Sequence, residues 1–188
     1  LRTEQLQMCT NMWNTTNISA KVDWYGIDGL KLGLAGYFGD TNVDVNSNVP
    51  GVGISMIGLD ARYAMERFGM RGQFVTTSID GSEEYNLTWD SDLGSKMNGW
   101  YVEASYNLFS LENEEKLDLF ARYSNYDTHA GVAGSLVANE AYNRNVLTTG
   151  LSWHVAPGAA FKMDYQVLGN GASDENTSVL SFGIGVWF

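Results

Sequence analysis

The chain ends in Val179-Leu180-Ser181-Phe182-Gly183-Ile184-Gly185-Val186-Trp187-Phe188. Apolar residues alternate here with serine and glycine, so a strand would have one apolar face and one small or polar face. In a soluble sheet, such a terminal strand would leave an exposed apolar edge that favours aggregation, and closure into a barrel removes that edge. In a transmembrane β-barrel the apolar row faces lipid and the small row faces the lumen, which is the alternation found here.

The composition of the 188 residues suits many strands joined by turns. The sequence holds 21 glycines and 2 prolines, with 10 tyrosines and 6 tryptophans that can form girdles at both membrane surfaces. Apolar runs stay well short of the roughly 18 residues of a spanning helix, so we expect any membrane crossing to be by strands. The net charge of −11 argues against a nucleic-acid partner, because a phosphate backbone needs a basic surface. The single Cys9 excludes an internal disulfide and a cysteine-based metal cluster.

Alternating apolar and polar residues predict an all-β, antiparallel transmembrane β-barrel with strands throughout residues 18–188. Residues 1–17 are weakly patterned and are expected to be a polar loop or a partial strand. Residues Ile18–Phe38 predict a hairpin whose tight turn is Asp28-Gly29, because both residues tolerate the positive φ of short hairpins. The other predicted strands cover about 52–65, 70–79, 100–108, 117–124, 147–155, 161–167 and the terminal stretch.

The predicted connections alternate between long and short. Long loops are expected at 39–51, 80–98, 127–143 and 169–177, and short turns at 28–29, 66–69, 111–115 and 156–158. Outer-membrane barrels place long loops outside the cell and short turns in the periplasm, so this alternation predicts the sidedness of the sheet.

The strand count leaves the size of the barrel open. Nine strands are clear, whereas bacterial single-chain barrels normally have an even number. Either residues 5–13 supply a tenth strand, or the chain is the C-terminal part of a larger barrel of about sixteen strands. The weak alternation at Leu6–Met12 favours the second interpretation.

Several short motifs resemble a known family. They are Gly29-Leu30-Lys31-Leu32-Gly33, Gly36-Tyr37-Phe38-Gly39, Gly58-Leu59-Asp60-Ala61-Arg62-Tyr63, Gly99-Trp100-Tyr101-Val102-Glu103-Ala104, Phe120-Ala121-Arg122-Tyr123, Asp127-Thr128-His129 and the closing Gly183–Phe188. Together they resemble the C-terminal half of the phosphate-selective porin O/P family, particularly its Bacteroidetes relatives. The resemblance implies a passive channel for small solutes, with anion selectivity in the type members. The terminal strand also resembles the assembly signal of outer-membrane barrels, carried by Phe182, Ile184, Val186 and Phe188.

Residue parity places charged side chains of both signs on the predicted lumen wall. The pore-lining candidates are Lys21, Asp23, Lys31, Asp60, Arg62, Arg71, Glu103, Lys116, Asp118, Arg122, Lys162 and Asp164. Opposite charges two residues apart, as in Lys21/Asp23, Asp60/Arg62 and Lys162/Asp164, either create a field across a wet pore or form wall salt bridges with little influence on transport. An anion-specific channel needs mostly basic lining, so the mixture predicts a weakly selective pore.

Other candidate sites are weaker. Asp127 and His129 lie at the outer edge, as in rim proteases, yet no second motif for activating water accompanies them, and no enzymatic activity is expected. His154 is expected inside the lumen near the periplasmic end. The sequence shows no residues with metal-ligand spacing. The acidic loops are interpreted as ordinary solvated loops, and calcium sites in them are the alternative. Sugar stacking is an alternative to plain wall packing for Tyr37, Tyr101 and Phe120.

The sequence therefore predicts a porin in the outer membrane of a Gram-negative bacterium, without a cofactor or metal. Expected partners are outer-membrane lipid, lipopolysaccharide, the barrel-assembly machinery and small solutes, and a homotrimer or association with other outer-membrane proteins stays open. The alternative is a complete ten-stranded barrel with a packed lumen and a structural or adhesion role through its acidic loops, since barrels of about eight to ten strands fill their interior with side chains.

Overall fold

The computed structural model describes residues 17–41 and 51–187, which form one antiparallel sheet of nine strands. The strands are β1 (Ile18–Ile27), β2 (Leu30–Thr41), β3 (Val52–Met65), β4 (Phe68–Asp80), β5 (Lys96–Asn107), β6 (Lys116–Gly131), β7 (Asn143–Ala156), β8 (Ala159–Asn170) and β9 (Ser173–Val186). Each strand pairs with the next along the chain, in the order β1 to β9. This meander confirms the predicted antiparallel fold. The predicted partial strand in residues 1–17 lies outside the described residues, apart from Asn17.

The first hairpin is built as predicted. β1 pairs with β2 from Ile18 opposite Phe38 to Ile27 opposite Leu30. Gly29 lies in the turn with φ 77°, a conformation that glycine adopts without steric cost. The turn between β3 and β4 is also tight, with Glu66 at φ 51°.

The two faces of the sheet differ in chemistry. Side chains of one face, here the polar face, include Lys21, Arg62 and Glu103, whereas the opposite, apolar face carries residues such as Leu59 and Phe182. Within residues 17–41 and 51–187 nothing covers the apolar face: Phe182 and Ile184 are both 72% exposed. Within the described residues, the buried apolar side chains are limited to Val52, Ile79 and Ala160. A soluble sheet would bury its apolar face in a core, so this distribution matches a sheet whose apolar face meets lipid.

The connections at one end of the sheet are more structured than predicted. The expected loop at 80–98 contains helix α1 (Ser82–Trp89), with Glu83 and Glu84 in its first turn, where acidic side chains favour the helix dipole. The prediction missed α1 because its sequence has no apolar stripe. The expected loop at 127–143 is shorter than predicted, since β6 continues to Gly131 and a 3-10 turn covers Glu140–Tyr142.

The predicted long loop at 169–177 is wrong. β8 reaches Asn170 and β9 begins at Ser173, so only Gly171 and Ala172 form the turn between them. The start of β9 is exposed on both faces, so its polar residues were compatible with either a loop or a strand in water. At the opposite end, the connection between β5 and β6 covers 108–115, longer than the expected turn at 111–115. Loop lengths therefore do not alternate strictly.

The edges of the sheet are β1 and β9. In the described part of the chain, β1 pairs only with β2 and β9 only with β8, so these two strands do not close the sheet on each other. None of the helices in residues 17–41 and 51–187 is long and apolar enough to cross a membrane.

Candidate functional site

The strand register brings all the predicted pore-lining residues to the polar face. Lys31 pairs with Arg62, Arg62 with Arg71, Arg71 with Glu103, and Glu103 with Arg122. Because directly paired residues of an antiparallel sheet point to the same side, these five side chains share one face. The same argument, followed through the register, places on it Lys21, Asp23, Asp60, Lys116, Asp118, Lys162 and Asp164.

Ion pairing on this face runs mostly across strands. Lys21 Nζ lies 2.8 Å from Asp60 Oδ1, and Lys31 Nζ lies 3.1 Å from Asp23 Oδ2. Among the three pairs expected along single strands, Lys21/Asp23 forms at 3.4 Å. Lys21 and Asp60 lie on strands separated by β2, and Lys31 is a diagonal neighbour of Asp23, so the long lysine side chains reach carboxylates that do not pair with them directly.

The other two expected pairs do not form. Asp60 binds Lys21 rather than Arg62, and Asp164 accepts a hydrogen bond from Gln166 Nε2 at 2.8 Å rather than pairing with Lys162. Within the described residues, Arg62 and Lys162 form no ion pair. Both cations are therefore available to solutes on the polar face.

Five paired residues form a band across β2 to β6, here the central basic row: Lys31, Arg62, Arg71, Glu103 and Arg122. Residue parity placed all five on one face but did not show which of them are cross-strand neighbours, so the grouping of four cations with one carboxylate was not predicted. The signal was present only in the register, which sets the cross-strand neighbours. The polar face as a whole carries charges of both signs, but positive charge is concentrated in the central basic row.

Glu103 is the centre of this row. Arg71 Nη2 donates a hydrogen bond to Glu103 Oε2 at 3.0 Å, and Arg122 Nε donates to the same oxygen at 2.8 Å. Arg71 Nε also lies 2.7 Å from Oε1, as an electrostatic contact rather than a directed hydrogen bond. The Glu103 side chain is only 10% exposed, whereas the Arg71 and Arg122 side chains are 39% and 35% exposed. A buried carboxylate is stable when it is paired in this way.

A cavity of about 350 Å³ lies on the polar face. Its wall draws on every strand from β3 to β8, including Arg62, Arg71, Glu103, Phe120, Ser152 and Lys162. Another hollow, of about 520 Å³, lies on the apolar face and is lined by side chains such as Leu151, Phe161 and Ile184, so the two faces are distinguished by the chemistry of their side chains.

His154 also lines the cavity, with Nε2 3.7 Å from Asp118 Oδ2. This position near the end of β7 is where sequence analysis placed it. Groups of three or more His, Cys, Asp or Glu side chains arranged to hold a metal ion are absent from the described residues.

The aromatic candidates for sugar stacking differ in their surroundings. The Arg122 guanidinium lies 5.1 Å from the centre of the Tyr101 ring, a cation–π contact that occupies one face of that ring. Phe120 lines the cavity, and Tyr37 lies on the polar face towards the other end of the sheet, beside a second, shallower concavity. Phe120 is therefore the candidate best placed beside the unpaired cations.

At the end of the sheet that carries α1, His129 links the segments that contain Asp92 and Asn139 through contacts with their backbone groups. The Asp127 carboxylate accepts the backbone N–H of His129 at 2.8 Å, so it does not contact the imidazole. His129 Nδ1 accepts the Asn139 N–H at 3.3 Å, and Nε2 contacts the carbonyl oxygen of Asp92. Because both ring nitrogens are engaged by backbone groups, this arrangement favours a structural role for His129 over the rim-protease role.

Tyr142 contacts both Asp92 and His129, and these three residues form a junction between the β4–β5 and β6–β7 connections. Its hydroxyl donates a 2.6 Å hydrogen bond to Asp92 Oδ2, and its ring centre lies 4.3 Å from that of His129. The hydrogen bond to the carboxylate raises the pKa of Tyr142 above its usual value, because the carboxylate accepts a proton that tyrosinate would lack.

The fold matches a solved structure of OmpT, an outer-membrane protein of Vibrio cholerae folded in vitro. The TM-score is 0.55 at 15% identity, and the match covers 91% of this chain and 54% of that one. The chain has the fold of an outer-membrane β-barrel. It spans about half the length of the Vibrio protein.

A further similarity lies in sequence. An uncharacterized protein of Aquifex aeolicus (strain VF5) is 32% identical over 71 residues, which are 37% of this chain and 16% of that protein. This chain therefore spans only a small part of that relative. No protein-family model matches the chain.

Proposed function

We propose that the chain forms the wall of an outer-membrane porin, through which small hydrophilic solutes and ions diffuse without chemistry. The observation that carries this proposal is the contrast between an exposed apolar face and a charged face. In a membrane, the apolar face contacts lipid and the charged face lines water. Among the described residues Arg62 and Lys162 have no ion-pair partner, which favours a wet interior because an unpaired cation is costly in a dry one.

The barrel is proposed to be larger than nine strands, with about sixteen. Two features support this size: β1 and β9 do not pair, and the chain spans 54% of the Vibrio protein. Barrels of sixteen or more strands leave an aqueous channel. The resemblance to phosphate-selective porin O/P proteins implies that the barrel is a passive channel. The mixture of charges on the polar face supports weak ion selectivity.

A complete ten-stranded barrel with a structural or adhesion role is the second candidate. It is favoured by the junction of His129, Tyr142 and Asp92, which holds two outer connections together as an ordered, acidic surface. In this candidate, the lumen is filled by side chains and conducts no ions.

Conductance in a planar lipid bilayer separates these candidates. Protein purified from its own membrane should give stepwise openings in KCl if it is a porin, and a closed barrel should give none. The intact mass of the same protein gives an independent answer. A mass near 20.7 kDa would favour ten strands, and a mass near twice that value would favour the larger barrel.

The proposed setting is the outer membrane of a Gram-negative bacterium. Lipid and lipopolysaccharide would contact the apolar face, and the row of Phe182, Ile184 and Val186 would be recognised by the barrel-assembly machinery together with Phe188, which lies outside the described residues. Chemical cross-linking in intact cells would distinguish a trimer from a complex with other outer-membrane proteins.

A further inference from the structure

We infer that Glu103 sets the ion selectivity of the proposed pore by neutralising two arginines of the central basic row. This inference rests on the proposed porin function and names the residue that controls the ion selectivity of the pore. Glu103 is the acidic member of a row that otherwise consists of Lys31, Arg62, Arg71 and Arg122. Selectivity follows the sign of the charge that lines a pore, so the charge at this one position decides how basic the row is.

The contacts make Glu103 different from the other acids of the polar face. Its carboxylate binds Arg71 and Arg122 at the same time, through hydrogen bonds of 3.0 and 2.8 Å. In residues 17–41 and 51–187, neither arginine has another acidic partner. Loss of the Glu103 charge would therefore release both guanidinium groups, and both already lie beside the cavity.

The neighbours of the row would not replace the lost charge. Lys31 is paired with Asp23, and Arg62 has no acidic partner within the described residues. Without Glu103, Arg62, Arg71 and Arg122 would be adjacent, unneutralised cations on the wall of the cavity. Permeating anions would then meet a continuous positive band.

Asp118 provides a matched control. It lines the same cavity, and its contact with a charged or titratable partner is the 3.7 Å approach of His154. Asp118→Asn changes the formal charge of the wall by the same amount as Glu103→Gln but frees no arginine. The Asp118 side chain is 30% exposed, and the side chains of Arg71 and Arg122 are 39% and 35% exposed, so salt screens the charges that act in both variants to a similar degree and the two are compared at one ionic strength.

The test is the reversal potential of single channels in a KCl gradient. Glu103→Gln should raise the anion-to-cation permeability ratio several-fold at about 0.1 M salt, where the Debye length is about 10 Å. Asp118→Asn, measured in the same gradient, should give a smaller increase. The double variant Glu103→Gln/Arg71→Gln restores the net charge and should return the ratio close to that of the wild type.

Equal shifts in Glu103→Gln and Asp118→Asn, or no shift in either, would overturn the inference while leaving the porin intact. Wild-type protein without conductance would instead overturn the proposed function, and the inference with it. If Glu103→Gln does not assemble, Glu103→Asp takes its place. The shorter carboxylate cannot hold both arginines, so an intermediate increase is expected, and a wild-type ratio would contradict the inference.

Discussion

Lys21 on β1 binds Asp60 on β3 although β2 lies between them, with 2.8 Å from Nζ to Oδ1. The contact is made across Gly33, which pairs with Asp23 on one side and Asp60 on the other. A Cβ atom at Gly33 would lie 2.3 Å from Asp60 Oδ1 and 2.8 Å from Asp23 Oδ1. The absence of a side chain on β2 therefore lets the acids of β1 and β3 fold over it and meet Lys21 and Lys31.

Gly33→Ala should separate these ion pairs and lower the stability of the N-terminal hairpin. Both carboxylates must move away from the new methyl group, so Lys21 and Lys31 lose their partners. Gly58→Ala is the control, because its Cβ would make only ordinary contacts at 3.8 and 3.9 Å. Urea unfolding in lipid vesicles should give a lower midpoint for Gly33→Ala and an unchanged one for Gly58→Ala. Equal midpoints would refute the role of Gly33.

The two faces of β9 should respond differently to the same charge. Phe182 lies on the apolar face, and Gly183 lies on the polar face with open space around its Cβ position. Phe182→Arg is expected to destabilise the barrel by about 2–4 kcal/mol, the cost of arginine facing lipid near the bilayer midplane. Gly183→Arg should cost much less, because its side chain enters water. The free energy of unfolding in vesicles would measure both, and similar losses would contradict the assigned faces.

The β5–β6 connection depends on Asn107. This buried side chain accepts the backbone N–H groups of Phe109 at 3.2 Å and Leu117 at 3.1 Å through Oδ1. Asn107→Ala would leave both donors without this partner and should cost about 1–3 kcal/mol. Ser110→Ala serves as the control, because it removes only an exposed acceptor of the Glu112 N–H at 3.4 Å in the same connection. Unfolding that is unchanged in Asn107→Ala would show that water replaces the side chain without loss.

The sequence alone predicts the structural features that depend on the two-residue alternation of strands and on the residues preferred in tight turns. The alternation from Leu180 to Val186 was enough to predict the faces of β9, and Asp28-Gly29 was enough to predict the first turn. It could not predict the strand at Ser173, because residues exposed to water on both faces show no alternation. It also missed α1, which lacks an apolar stripe, since polar loops and solvated helices have similar composition.

The candidate site was predicted as a set of residues but not as an arrangement. Parity placed Arg62, Arg71, Glu103 and Arg122 on the same face. Which of them touch depends on the register of four strands, and a shift of two residues at one turn would change every cross-strand neighbour. Side-chain choices such as Asp60 binding Lys21 rather than Arg62 depend further on the space above Gly33.

The junction between the β4–β5 and β6–β7 connections should loosen at alkaline pH. The hydrogen bond to Asp92 raises the pKa of Tyr142 in the folded protein above 10.0, the ordinary value. A raised pKa means that the folded state holds the proton more tightly than the unfolded state does. Its contribution to stability is therefore complete below about pH 10 and is lost as the pH rises through the folded pKa, because tyrosinate and the Asp92 carboxylate then repel each other.

Proteinase K cleavage of the connection at 132–142 would measure this change. Wild-type protein should resist cleavage at pH 9 and be cut increasingly above pH 10. Tyr142→Phe removes the hydroxyl, so cleavage of this variant should already be faster at pH 9. At each pH the cleavage rate is divided by the rate of the protease on an unstructured peptide, and for Tyr142→Phe this ratio should not rise above pH 9. Tyr126→Phe, on the adjoining strand β6, should behave like the wild type. An alkaline increase that survives in Tyr142→Phe would assign the transition to another group, because no tyrosinate could then form opposite Asp92.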